Sequence, residues 1–462
     1  MRWFFFSAIS LFIVISLFPL SVTFTYSFYD IQRLSQITLL VTSGLIVGLA
    51  MLFNVRWFVQ SAQFLVARRF LGLMCAISSI FFAGLASCYF SEEPANALMY
   101  TLHFFMLTIF LFSALSCLTD GMVKQLLAFF VVIHCALVSY CMLNTVFAVI
   151  SGDALDASLI YYGFENIRFF NQVQVLVLPL LLFYTLNARF GRIASLFLFF
   201  NLFLMLLGGG LGITLSWLAV LVLGMLLKGS SRIYVKGLLL TALAYSVFYC
   251  LSFYIASLQE GDMAVMDLSS GGRVELWSNS LSQFGVINLF LGVGPSIFSA
   301  SAGGSQIFSH PHNALIELLV EWGGWVAAIV CFLIFRTIMS FVYQARKDLL
   351  DISVLAIGLA WLAGLLYSFV SGVLVMPVPQ TLFFLLFGLL LKYLFFQRNE
   401  LEDKLALSSG AIEANFFRVL GLVICGVVIV YLVLTMTSLE RLDRFEPAFQ
   451  GPRFWLNGLR YL

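Results

Sequence analysis

The residues best suited to chemistry stand in the run His310-Pro311-His312-Asn313, with Glu317 and Glu321 following. Asn313, Glu317 and Glu321 are spaced i, i+4, i+8, so on a helix they share one face. A histidine is the side chain best placed to accept a proton near neutral pH. His312 therefore reads as a general base, and His310, held before a proline, as the lesser of the pair. A second run, Gly271-Gly272-Arg273-Val274-Glu275-Leu276-Trp277, sets an arginine at the start of a helix. There free N–H groups and the helix dipole favour an anion, and the guanidinium fork suits a phosphate. A third stretch, Arg168-Phe169-Phe170-Asn171-Gln172-Val173-Gln174, offers a second cation and two amides.

The elements that must carry these residues are set by composition. Of 462 residues, 62% are hydrophobic and 10% charged, with a formal net charge of +2. Soluble domains carry about 25% charged residues, so lipid must be the solvent for most of this chain. So small a net charge gives no reason to expect nucleic acid. Apolar runs long enough for membrane helices fall near 4–23, 36–53, 71–90, 97–118, 125–150, 170–187, 192–208, 211–227, 237–257, 313–335, 352–372, 380–396 and 418–437. A span needs roughly 20 residues. The two runs flanking Gly208-Gly209-Gly210 are short and could form one broken hairpin. The expected fold is an all-α integral membrane protein, a polytopic bundle of about 12–13 transmembrane helices.

Lys and Arg fix the expected orientation. With the N-terminus in the cytoplasm, Arg68, Arg69, Arg192, Lys236, Arg346, Lys347 and Arg398 fall inside. Glu92, Glu93, Asp153, Asp156, Glu165 and Asp262 fall outside. Before the tail, only Arg33, Arg168 and Arg273 break this pattern. Arg33 reads as a surface ion pair, whereas Arg168 and Arg273 read as anion ligands. The tail, with Arg441, Arg444, Arg453 and Arg460, lies outside with thirteen crossings and inside with twelve. The chain divides into N-terminal membrane helices (1–257), a long outward loop (258–312), and C-terminal membrane helices with a tail (313–462). The loop should hold a short surface helix from Ser270 to Gln283, capped by Ser269 or Ser270, with Val274, Trp277, Leu281 and Phe284 on one face. Gly292-Val293-Gly294-Pro295 supplies a tight turn before the histidines. The two carboxylates should face a cavity or pair with cations. Eight cysteines lie in or beside apolar runs, without CxxC spacing. There is no P-loop, no HExxH and no Asp-rich loop pair, and His103 and His134 are scattered within spans. The expected chemistry uses neither metal nor cofactor.

Taken together, Gly272-Arg273-x-x-x-Trp277, Gly292-x-Gly294, and His312-Asn313-x-x-x-Glu317-x-x-x-Glu321-x-Gly323 resemble the O-antigen ligase and polymerase superfamily. The stretch Arg168 to Gln174 is similar to a loop-to-helix segment of the same group. The resemblance covers roughly 170 to 325; elsewhere the chain matches only in being multi-span. It implies a membrane glycosyltransferase of the bacterial inner membrane, working at the periplasmic face without a metal. The donor would be an undecaprenyl-diphosphate-linked glycan. The acceptor would be lipid A-core in a ligase, a second carrier-linked glycan in a polymerase, or a protein hydroxyl. The ligase is favoured because few outward cations are available to hold two diphosphates. Carried onto this sequence, Arg273, Arg168 and Gln172 would bind the diphosphate. His312 would act as base beside Arg273, and Asn313, Glu317, Glu321, Trp277 and His310 would support them. A lipid-linked glycan transporter or flippase is the competing class, since it too needs arginines and carboxylates within spans.

Overall fold

The computed structural model describes residues 1–19, 26–53, 55, 71–151, 160–161, 163–227, 231–259, 273–282, 286–298, 310–396, 410–442 and 453–456. Among them every element is helical. In chain order they are α1 (Arg2–Leu17), α2 (Phe28–Leu52), α3 (Leu71–Phe90), α4 (Pro94–Cys117), α5 (Asp120–Ser151), α6 (Ile167–Tyr184), α7 (Gly191–Leu207) and α8 (Leu211–Leu227). Then follow α9 (Ser231–Gln259), the short α10 (Arg273–Ser282) and α11 (Val286–Leu291), α12 (Ala314–Arg346), α13 (Ile352–Ser368), α14 (Pro377–Leu391) with a π-helical turn Lys392–Phe396, and α15 (Gly410–Leu442).

Each of the thirteen apolar runs lies on a helix of its own. Among the described residues, nine helices are long and apolar enough to cross a membrane, and the shorter apolar ones are α1, α7, α8 and α13. The runs about Gly208–Gly210 are the separate helices α7 and α8. Connections such as 91–93, 118–119, 208–210 and 347–351 are brief, so consecutive helices run antiparallel. One end of the bundle gathers the starts of α2, α4, α6, α12 and α14. There the Phe28 N–H donates to Glu165 Oε1 at 2.9 Å, and Gln32 Nε2 donates to the Gly163 carbonyl at 2.9 Å. At the opposite end Lys392 Nζ lies 3.2 Å from Asp120 Oδ1.

Small residues set how close the helices come. Gly421 of α15 meets Gly48 of α2 so tightly that a methyl on Gly421 would lie 2.6 Å from the Gly48 carbonyl oxygen. In lipid such close backbone packing holds helices together where hydrophobic burial cannot. It also fixes where the chain emerges from α15. Residues 453–456 lie at the end where α2, α4 and α12 begin.

The carrier of the two carboxylates is not one continuous helix. Gly323 breaks α12 with φ 83° and ψ 167°. The break receives the loop from α11: Val293 N–H donates to the Val320 carbonyl at 2.9 Å, and Gly294 N–H to that of Glu321 at 3.2 Å. Gly292 and Gly323 cross backbone on backbone. A methyl on Gly292 would sit 2.3 Å from the Glu321 carbonyl oxygen, and one on Gly323 would sit 2.1 Å from that of Phe290. Both glycines have positive φ, so a side chain at either would clash and also strain the backbone. We predict that Gly323→Ala lowers stability by about 3 kcal/mol, the upper range for overpacking. Thermal unfolding in detergent checks this; an unchanged midpoint would show that the crossing tolerates a side chain.

Candidate functional site

The site forms where three segments meet at the shared end of the bundle. Asn313 caps α12: its Oδ1 accepts from Leu315 N–H at 3.0 Å and Ile316 N–H at 3.1 Å. Asn313 thus supports the site as the cap of the helix that carries Glu317 and Glu321. Just before the cap, His312 has φ 54°, a left-handed conformation uncommon outside glycine. His312 N–H donates to His310 Nδ1 at 3.3 Å, and the two rings lie 4.1 Å apart. Trp277 of α10 donates from Nε1 to the Pro311 carbonyl at 2.7 Å, so the surface helix docks on the histidine turn. Val274 and Leu281 of α10 are exposed. The expected start of this helix at Ser270, its caps Ser269 and Ser270, Phe284, and the side chain of Arg273 lie outside the described residues. The backbone of Arg273 opens α10, four positions before the docked Trp277.

The α6 start arrives from the other side. Asn166 caps it, accepting from Arg168 N–H at 2.9 Å. Gln172 Nε2 donates to Ser371 Oγ at 2.8 Å. The adjacent Gly372 abuts His310, whose Cε1 would lie 2.7 Å from a methyl built there. Arg168 is close enough to act electrostatically on His310. Thus α6 and the 371–372 turn reach the histidines, a convergence that the sequence alone did not show. Gln174 does not join them. Its Nε2 donates to the Asn201 carbonyl at 2.7 Å, and Asn201 Oδ1 lies 2.8 Å from His134 Nε2. That is a separate buried cluster between α5, α6 and α7.

Glu317 and Glu321 are claimed by an arginine that the motif reading passed over. Arg453 Nη1 lies 2.8 Å from Glu317 Oε1, and Nη2 pairs with Glu321 Oε1. Glu321 also accepts from Ser296 N–H at 2.8 Å and Phe298 N–H at 3.4 Å. The guanidinium lies 5.0 Å above the Tyr100 ring. Burial works against its charge, but Glu317 and Glu321 outweigh that and hold the pKa of Arg453 above its usual value.

Beneath lies Arg33, wholly buried. This overturns its reading as a surface ion pair. Its guanidinium donates to the carbonyls of Phe454 (2.7 Å), Val375 (2.7 Å) and Arg453 (3.0 Å), and to Gln36 Oε1 (2.5 Å). Around it stand His103, 2.9 Å from Gln380 Oε1, and Tyr431, whose hydroxyl is 2.7 Å from His103 Nδ1. Sequence could have flagged part of this group, since His103 and Gln380 are polar residues within apolar runs. What it could not show is that four helices bring them together.

No family model matches the chain, and no curated protein matches it at a significant level.

His310 is 2% exposed. Burial, then the charges of His312, Arg453 and Arg168, push its pKa well below the ordinary 6.5. It is neutral at pH 7 and accepts from the His312 N–H through Nδ1. An unfolded histidine takes up a proton below about pH 6.5, while the buried one resists. The stability His310 contributes is therefore complete above about pH 6.5 and declines as pH falls below it. We predict that His310→Gln flattens this acid-side decline. Unfolding midpoints measured from about pH 7 to about pH 5 check it, and equal slopes in both proteins would refute it.

Proposed function

We propose that the chain is a glycosyltransferase of the O-antigen ligase type, working at the periplasmic face of the bacterial inner membrane. It would take a glycan from undecaprenyl-diphosphate and pass it to lipid A-core. The observation that carries this reading is the convergence of Arg168, Gln172, His310 and His312 at one end of an apolar bundle, with the α10 helix opened by Arg273 docked on the same turn. The acceptor hydroxyl attacks the anomeric carbon as the bond from that carbon to the diphosphate oxygen breaks. His312 takes the hydroxyl proton. Charge grows on the leaving diphosphate, and fixed guanidinium groups in a water-poor pocket stabilise it. General-base assistance of this kind contributes about 10²–10⁴-fold.

A cavity of about 290 Å³ supports a lipid-linked donor. It lies between α3, α4, α12, α13 and α14, beginning at Glu317 and ending at Arg336. Those residues lie on the two parts of α12, on either side of its break at Gly323. Apart from these ends its walls are almost wholly aliphatic and aromatic, including Leu318, Trp322, Leu365 and Phe384. A polyprenyl chain fits that character. We expect Leu365→Trp to raise KM for the long-chain carrier while leaving a short-chain analogue unaffected. An equal effect on both donors would remove the tail from this cavity.

The same geometry serves a repeat-unit polymerase or a protein O-oligosaccharyltransferase, which share the donor and differ in the acceptor. Mass analysis of the product formed from carrier-linked glycan with each acceptor separates the three. In the ligase, His312→Ala should abolish transfer in detergent while the protein stays folded; persistent transfer would remove His312 from catalysis. The group around Arg33 and His103 favours a second reading, a transporter for a lipid-linked glycan, because His103 lies about 14 Å along α4 from its start. Such a protein would move substrate across sealed vesicles and form no new glycosidic bond.

A further inference from the structure

We propose that Arg453 is a positioning residue of this site and that the segment 453–456 is one of its working parts. The proposal rests on the transfer reading above. Four consecutive residues of the segment each engage a different part of the bundle. Arg453 holds Glu317 and Glu321 of α12, and its Nε lies 3.4 Å from Ser296 Oγ in the loop after α11. The Phe454 ring packs 5.3 Å from His103 of α4. Trp455 Nε1 donates to Ser438 Oγ of α15 at 2.7 Å. Leu456 N–H donates to Asp30 Oδ1 of α2 at 2.9 Å.

The link to the reacting groups runs through α12. Glu317 N–H donates to the Asn313 carbonyl at 2.9 Å, so the first turn joins the Arg453-held carboxylate to the residue beside His312. Glu317 also lines the upper end of the apolar cavity. Glu321 carries the loop 296–298 through its two backbone donors. One guanidinium thus sets the height of α12 against the loop and the mouth of the cavity. Arg453 acts on the base through the backbone it fixes. Displacements of about 1 Å at a reacting group cost roughly 100-fold in rate.

The test compares the purified full chain with two variants. Arg453→Lys keeps the charge but loses the two-pronged geometry. The triple variant Arg453→Met, Glu317→Gln, Glu321→Gln removes all three charges together, and so leaves no unpaired buried ion to unfold the bundle. Transfer from carrier-linked glycan is measured alongside thermal unfolding. Both variants are expected to fold, to lose roughly 100-fold in kcat, and to change KM for the donor little. A folded triple variant with wild-type kcat would overturn the proposal and leave Arg453 a purely structural ion partner. Should the wild-type protein transfer glycan to no acceptor, the transfer reading fails, and diethyl pyrocarbonate labelling of His310 decides the positioning role separately. His310 is shielded in the intact fold, so both variants should label faster there; unchanged labelling in both would overturn it.

Discussion

Two carboxylates on a helix inside an apolar bundle demand a cation, and the guanidinium of Arg453 meets that demand. An isolated ion taken from water into a protein interior costs several kcal/mol even after relaxation. Glu321 is fully buried, and it recovers that cost through Arg453 and the N–H groups of Ser296 and Phe298. Those N–H groups reach it only because the loop slots into the break at Gly323. The break, the loop, the two carboxylates and the arginine are consequently a single arrangement. Loss of one partner from a buried set like this typically costs 3–5 kcal/mol.

The segment that brings Arg453 is itself held between opposite charges. Its guanidinium faces the carboxylates of α12, while the carbonyls of Arg453 and Phe454 face Arg33. Arg33 is satisfied by carbonyl dipoles, amides and the Tyr29 hydroxyl 3.0 Å from Nη2, with Phe454 stacked 4.9 Å from its centre. A backbone stretch lying between a cation and an anion pair has its peptide dipoles aligned by both. This explains how so short a segment can sit inside the bundle without regular secondary structure: its guanidinium, the carbonyls of Arg453 and Phe454, the Trp455 indole and the Leu456 N–H meet fixed partners.

Much of this was legible in the sequence, and the remainder fails for identifiable reasons. Helix positions followed from apolar runs, because lipid leaves few alternatives for the backbone. Charge and position singled out Arg168 and Gln172, but their approach to the histidines was not legible, because nothing local says which loops meet. The need of Glu317 and Glu321 for a partner was readable from their setting. The partner was not, since Arg453 lies 132 residues beyond Glu321 and sits in a tail whose sidedness depended on the crossing count. Arg33 was misjudged because the charge rule treats a basic residue near a helix end as surface. Nothing in local sequence says that Val375, Arg453 and Phe454 turn their carbonyls toward it. The i+4 spacing did not say that Asn313 is spent on capping α12, because spacing counts positions on a face and not what each side chain bonds.

The separation between Glu321 and Arg453 also bears on how the protein is made. Ribosomes add about 5–20 residues per second, so α12 enters the membrane roughly 7–26 s before Arg453 has been synthesised. During that interval two carboxylates sit at the membrane surface without the counter-charge they will finally have. Insertion and assembly are therefore distinct events in time, with the second waiting on residues translated after every membrane helix described here. The pairing of Arg453 with Glu317 and Glu321 can form only after the described helices have been translated.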